Sequence, residues 1–237
     1  MTMAGNTRGA AVTTAADAKA PPLVVIVEDD EGVRDGLQDL LRSVGLDTIA
    51  FDSTRGLLAA ALPNRPGCLV LDVRLPGSSG LELQSKLVAM GNRMPIIFMT
   101  GHGDIPMSVQ AMKAGALDFL TKPFRDQDML DAIAVAIERD RARRAASAGV
   151  AEIEALAATL TAREAEVMHH VVKGLLNKQI AHALGISEIT VKIHRGNVMR
   201  KMAAGSVADL VRKTEALKTG AEGCRPTGRP DARDDRQ

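Results

Sequence analysis

Five polar side chains stand where buried apolar runs stop: Glu28 and Asp29 after residues 23–27, Asp72 after 68–71, Thr100 after 95–99 and Lys122 after 117–120. Carboxylates gathered at one place repel strongly unless a cation sits among them. Hard oxygen donors favour Mg2+, which keeps several waters and accepts one further oxygen from a phosphoryl group. A hydroxyl and an ammonium facing the carboxylates supply a hydrogen-bond donor and a compensating charge. Together these are the requirements for phosphoryl transfer onto a carboxylate, with Asp72 as acceptor and an acyl phosphate as product.

These residues meet only if the elements before them lie side by side. Residues 23–27, LVVIV, form a short, unbroken apolar run rich in β-branched residues, the mark of a strand buried on both faces. From 30 to 44, Val33, Leu37, Leu40, Leu41 and Val44 recur at helical spacing, and Gly45 supplies the stop. The pattern repeats, with strands expected at 46–51, 68–71, 95–99 and 117–120 and helices at 54–61, 80–90, 105–114 and 126–139. Alternation of this kind implies an α/β doubly wound, five-stranded parallel sheet. Its ligands bind beyond the C-terminal strand ends, where the five polar residues stand. Asp30 reads mainly as a helix cap, and His102, between Gly101 and Gly103, as a turn residue. Met90, Met94, Met99, Met107 and Met112 read as packing residues rather than a cofactor box.

The segments EDD (28–30), LDVRLPG (71–77), MTGHGD (99–104) and DFLTKPF (118–124) resemble the receiver domain of bacterial two-component response regulators, whose fold is flavodoxin-like. The resemblance implies that Asp72 accepts phosphate from a sensor histidine kinase. It also implies that Glu28, Asp29, Asp72 and the backbone carbonyl of Arg74 hold Mg2+, and that Thr100 and Lys122 bind the phosphoryl oxygens. Phe119 falls at the family's aromatic switch position, and Lys122-Pro123 at its cis peptide. Two enzyme classes compete. Aspartyl-phosphate hydrolases of the haloacid-dehalogenase type need a second Asp two positions after the nucleophile, where this chain has Arg74, and no cap-like insertion is present. A dinucleotide-binding enzyme would follow its first strand with a glycine-rich loop rather than acids. A regulator that no longer uses phosphate is a third reading, against which the complete five-group site argues.

The overall charge of +1 hides a division. Residues 22–140 hold 17 acidic and 11 basic side chains, whereas 141–219 hold 7 acidic and 13 basic. An acidic module therefore precedes a basic one, and the expected layout is a receiver at 22–140, a linker at 141–155 that can extend a helix before breaking near Ser147 and Gly149, and a basic domain at 156–218. Residues 1–21 and 219–237, low in large apolar residues, read as disordered tails. The basic module shows helical spacing at 161–173, 177–184, 188–202 and 207–217, with a capping box at Thr161 and Glu164 and an N-cap at Ser187. The short turn at 185–187 suits a helix-turn-helix, whose second member enters the major groove. On that member Val191, Val198 and Met202 form the buried stripe, and Lys192, Ile193, Gly196 and Arg200 the outward one.

Residues 160–202 resemble the LuxR-type DNA-binding domain, an all-α four-helix fold. FixJ-type regulators share both the GHGD segment (101–104) and the pattern Asn177-Lys178-Gln179-Ile180-Ala181. The resemblance places Lys192, Ile193 and Gly196 at base edges, and Lys178, Thr190, Arg195, Asn197 and Lys201 at phosphates. His194 matches a frequent family position and serves either packing or phosphate, while His169, His170 and His182 read as ordinary helix residues. The whole reads as a phosphorylation-controlled transcription factor rather than an enzyme. Its expected partners are a histidine kinase, a two-fold double-stranded DNA site, a second copy of itself and RNA polymerase. No run approaches the 18 or so apolar residues of a membrane span and no secretory signal opens the chain, so a soluble, cytoplasmic protein is expected. Cys68 and Cys224, far apart, read as free thiols. Four Phe with no Tyr or Trp argue against base stacking on aromatic platforms.

Overall fold

A computed structural model describes residues 20–101 and 105–222, so His102, Cys224 and most of both tails lie outside the described residues. The chain divides into two compact units between Arg144 and Ala145.

The first unit contains β1 (Leu23–Val27), α1 (Glu31–Ser43), β2 (Asp47–Phe51), α2 (Thr54–Ala59), β3 (Gly67–Asp72), a small hairpin of β4 (Arg74–Leu75) and β5 (Ser78–Ser79), α3 (Gly80–Ala89), β6 (Ile96–Thr100), α4 (Ile105–Lys113) and β7 (Asp118–Thr121). Helix α5 (Asp126–Ala158) follows. The main sheet is parallel, with order β2-β1-β3-β6-β7. Its three middle strands are buried at every residue, which is why they read as unbroken apolar runs. Side chains alternate between faces. Leu23, Val25 and Val27 pack with Leu57 of α2, Leu83 and Leu87 of α3 and Ala111 of α4. Val24 and Ile26 pack with Leu37 and Leu41 of α1 and Met129, Ile133 and Ile137 of α5. Helices on both faces make the doubly wound fold expected, and Asp30 caps α1 by accepting the Val33 N–H at 2.9 Å.

The second unit is helical: α6 (Ala162–Val172), α7 (Asn177–Leu184), α8 (Glu188–Lys201) and α9 (Val207–Glu222). Its core joins Val167 and Val171, Ile180, Val191 and Val198, Met202 and Leu210, with Ile153, Leu156 and Ala157 of α5 packed against it. Thr161 and Glu164 form the capping box, and Ser187 caps α8. Gly185 turns between α7 and α8 at φ 64, in the left-handed region where glycine has no Cβ penalty. Among the described residues no helix is long and apolar enough to cross a membrane.

Some expectations need correction. The helix starting at 126 does not end at 139 or break at Ser147 and Gly149 but runs unbroken to Ala158. The alanines at 145, 146, 148 and 151 are strong helix formers that offset one glycine costing about 1 kcal/mol. The last helix likewise passes 217 and reaches Glu222. Met94 and Met99 are buried, but Met90 and Met112 are 67% and 49% exposed and do not pack the core. Met90 shares the face of Leu83 and Leu87 but stands at the C-cap of α3, beyond its last buried turn, whereas Met112 lies at another helix angle from the buried Ala111 of α4.

Gly67 shows how tightly the middle strands approach. A Cβ built there would lie 2.0 Å from the Leu23 carbonyl oxygen, a backbone atom that cannot step aside. Gly67→Ala is expected to destabilise the first unit by about 3 kcal/mol, whereas Gly36→Ala, with open space around its Cβ position, stays near neutral or gains. Denaturant midpoints followed by far-ultraviolet circular dichroism check this.

Candidate functional site: an acidic cluster with one lysine, and a basic recognition helix

The register Val27↔Leu71 sets β1 and β3 side by side, so that Glu28 and Asp72, one residue further on, are neighbours. Carboxylate oxygens of Glu28, Asp29 and Asp72 lie within 4.8 Å of one another, with Glu28 and Asp72 buried and Asp29 exposed. Lys122, just past β7, extends between the buried pair, its Nζ 2.6 Å from both Glu28 Oε2 and Asp72 Oδ2. Burial works against its charge, but the hydrogen bonds to Asp72 and Glu28 prevail and hold its pKa above the ordinary lysine value. Burial also pushes the Glu28 carboxyl up; the Lys122 hydrogen bond opposes this and the Asp72 charge adds to it. Both directions express one fact: a single ammonium faces two buried carboxylates. Thr100 ends β6 rather than following it, is buried, and donates its hydroxyl to the Gly101 carbonyl at 3.3 Å. Asp72 likewise ends β3, and the Arg74 N–H donates to its Oδ1 at 2.8 Å. The Lys122-Pro123 peptide is cis. Phe119 is half-buried beside Phe98, ring centroids 6.5 Å apart.

In the second unit, Val191, Val198 and Met202 are buried while Lys192, Ile193, Gly196 and Arg200 are exposed along α8, as expected. Lys178 is exposed on α7. Thr190, at the start of α8, shares a hydrogen bond with Ser187 Oγ at 2.8 Å. Arg195 donates to Asn177 Oδ1 at 3.1 Å, joining α8 to the start of α7, and Asn197 accepts from Arg200 at 3.0 Å. His194 is half-buried, with its Nδ1 enclosed and without a partner.

Comparison with known proteins matches both halves. Residues 24–134 match the response regulator receiver domain, and residues 158–214 match the bacterial regulatory proteins of the luxR family. Nodulation protein W of Bradyrhizobium diazoefficiens is 55% identical over 214 residues, covering 90% of this chain and 93% of that protein. The transcriptional regulatory protein FixJ of Azorhizobium caulinodans is 45% identical over 189 residues, covering 80% and 90%. The solved structure of the response regulator StyR superposes with a TM-score of 0.75 at 49% identity, covering 83% of this chain and 99% of that one. The chain is a two-component response regulator with a LuxR-type DNA-binding domain. It is thus a transcription regulator and not an enzyme, and the haloacid-dehalogenase and dinucleotide readings fall away.

Two positions in this response regulator, Arg34 and Gly80, and one long-range bond of Glu164 were invisible to motif reading. Arg34 of α1 donates to the Glu28 carbonyl at 2.9 Å and the Asp29 carbonyl at 3.2 Å, clamping the backbone that presents both acids. Gly80 opens α3 against the site: a Cβ there would meet the Asp72 carbonyl oxygen at 2.5 Å and the Phe98 ring at 3.0 Å. Glu164 is only 4% exposed and accepts from Lys201 Nζ at 2.6 Å, while the same ammonium donates to the Thr159 carbonyl at 3.0 Å. Lys201, expected at a phosphate, makes both bonds within the domain, drawn by the capping-box carboxylate on α6. Cys68 is a free, buried thiol that burial, reinforced by the Asp140 charge, pushes up to about 12, so it stays protonated and unreactive at neutral pH.

The Lys201 hydrogen bond, together with the Thr161 backbone N–H, holds the Glu164 carboxyl down to about 2. A carboxylate depressed on folding stabilises the fold above its unfolded pKa and loses that contribution as pH falls through the folded value. Between about pH 4.5 and 2 this support of the DNA-binding domain should therefore drain away. A Glu164 carboxyl titration by NMR should show a midpoint near 2 rather than near the ordinary glutamate value, and Lys201→Met should move it upward.

Proposed function

We propose that this response regulator accepts a phosphoryl group from a histidine kinase on Asp72, pairs through its receiver, and binds a two-fold DNA site through α8 to activate transcription with RNA polymerase in the cytoplasm. The observation that carries the reading is the shared ammonium: Glu28 and Asp72 lie 2.6 Å from one Lys122 Nζ, with Asp29 beside them, so the cluster has more negative charge than the chain itself compensates. An all-oxygen donor set with a charge deficit fits Mg2+. Glu28, Asp29, Asp72 and the Arg74 backbone carbonyl would hold it. When bound, Mg2+ supplies positive charge toward a phosphoryl oxygen.

The rest is done by the chain's own groups. An Asp72 carboxylate oxygen forms the new P–O bond as the P–N bond of phosphohistidine breaks, and the departing imidazole nitrogen keeps the electron pair and takes a proton. Lys122 then donates to a phosphoryl oxygen in place of Asp72. The Thr100 hydroxyl turns from the Gly101 carbonyl to another oxygen. Its turn opens room for Phe119 to swing inward, and the exposed surface of α4 and β7 becomes the pairing face, a local charge event read out by a two-state element. Two linked DNA-binding domains then gain affinity through effective concentration. On α8, Lys192, Ile193 and Gly196 read base edges, while Lys178, Thr190, Arg195 and Asn197 hold phosphates, with His194 supporting the helix between them.

Wild type treated with acetyl phosphate and Mg2+ should bind a palindromic promoter duplex more tightly than untreated protein, and Asp72→Asn should not respond. Equal binding by all four samples overturns the reading. Lys192→Ala should cost about 1–3 kcal/mol and relax preference at one base position, whereas Lys178→Ala should weaken all sequences alike. Binding to a panel of single-base operator variants separates the two effects.

A further inference from the structure

We propose that Asp140 is the positioning residue that fixes how α5 leaves the receiver, and that this anchor is required for the phosphorylation state of Asp72 to change DNA affinity; the inference rests on the function proposed above. Asp140 is a fully buried carboxylate, 0% exposed, lying beyond residue 134 where the receiver match ends. Four N–H groups converge on it. The Gly67 backbone N–H donates at 3.1 Å, Arg143 through both Nε at 3.0 Å and Nη2, and Arg144 through Nε at 2.6 Å. Arg144 also donates through Nη1 to Asn64 Oδ1, in the loop before β3. That loop is itself tied down, since Arg65 donates to Asp47 Oδ2 at 2.6 Å and to the Pro21 carbonyl at 3.0 Å.

Burying a charge in this way is a poor route to stability. Well-packed apolar replacements of buried ion pairs are often neutral or more stable, so the use such a group serves best is the choice of one geometry. Here the geometry is that of one strand and one helix. Strand β3 carries Asp72 at its last residue, and the N–H of its first residue, Gly67, holds Asp140. The strand between them is buried at every position and therefore stiff. Beyond the anchor, residues 145–148 of α5 are exposed, so among the described residues the first unit's polar hold on the helix ends at Arg143 and Arg144. The expected linker start at 141 is thereby revised: residues 141–144 carry the clasp that ends the receiver.

The test uses full-length wild type, Asp140→Asn and Arg144→Ala, with acetyl phosphate as donor and a duplex selected from random DNA on phosphorylated wild type. Asp140→Asn keeps an acceptor for Gly67 but removes the charge that holds both arginines. Arg144→Ala leaves the Gly67 and Arg143 bonds in place. Both variants should take up phosphate as wild type does and bind DNA equally well before phosphorylation. Their gain in affinity on phosphorylation should fall by about fivefold or more, the size of an ordinary coupling energy, and amide exchange across 138–150 should quicken. Variants that retain the full wild-type gain overturn the inference while leaving the proposed function intact. If Asp140→Asn fails to take up phosphate, Arg144→Ala alone decides, and an undiminished gain in it overturns the inference. If wild type itself shows no gain, the proposed function fails and the inference falls with it.

Discussion

One ammonium shared by two buried carboxylates sets the terms for the receiver. Glu28 and Asp72 are forced together because β1 and β3 are hydrogen-bonded neighbours, and Lys122 reaches them because its backbone N–H is fixed to the Thr100 carbonyl at the end of β6. Each partner therefore arrives on a different strand, and only the order β2-β1-β3-β6-β7 gathers them. The half-compensated charge leaves an acidic site with one matching cation for two buried carboxylates. A second lysine would have closed the charge balance, and one fewer acid would have left a simple ion pair.

The DNA-binding domain obeys a different constraint, the rigidity of one helix. Val191, Val198 and Met202 seat α8 in the core, while polar contacts from other helices hold its C-terminal end and its middle. Lys213 of α9 donates to the Met202 and Ala203 carbonyls at 2.9 and 2.6 Å, placing a cation at the helix C-terminus where the backbone dipole favours it. Asn177 holds Arg195 at mid-helix. A helix restrained at several points can present Lys192 and Ile193 without first paying to order itself.

Much of this was legible from residue order alone, and the reason is physical. Fully buried parallel strands leave unbroken apolar runs, and the polar residue ending each run falls at the site edge, so Glu28, Asp72 and Thr100 could be named from position; Lys122 follows the partly exposed β7 and was named from the repeat of the strand pattern. Cap chemistry is equally local, which made Asp30, Thr161 and Ser187 readable. Contacts between residues far apart in sequence left no such trace. Asp140 and Gly67 are 73 positions apart, and Lys201 and Glu164 are 37; neither pair has a spacing that announces it. Arg143 and Arg144 looked like a charged linker because their partner's burial is a tertiary fact. The exposed Met90 and Met112 were misread because the place where α3 stops covering the sheet, and the face that α4 turns to it, are set by tertiary packing.

The bond between Lys201 and Glu164 also bears on how the regulator responds to its ionic surroundings. Each phosphate neutralised by a protein cation releases condensed counterions, and the steepness with which affinity falls with salt counts those cations, at about 0.9 per contact on duplex DNA. A lysine already matched to a carboxylate inside the domain releases none. The formal basic charge of this half therefore overstates the charge that it leaves unpaired for counterions to follow.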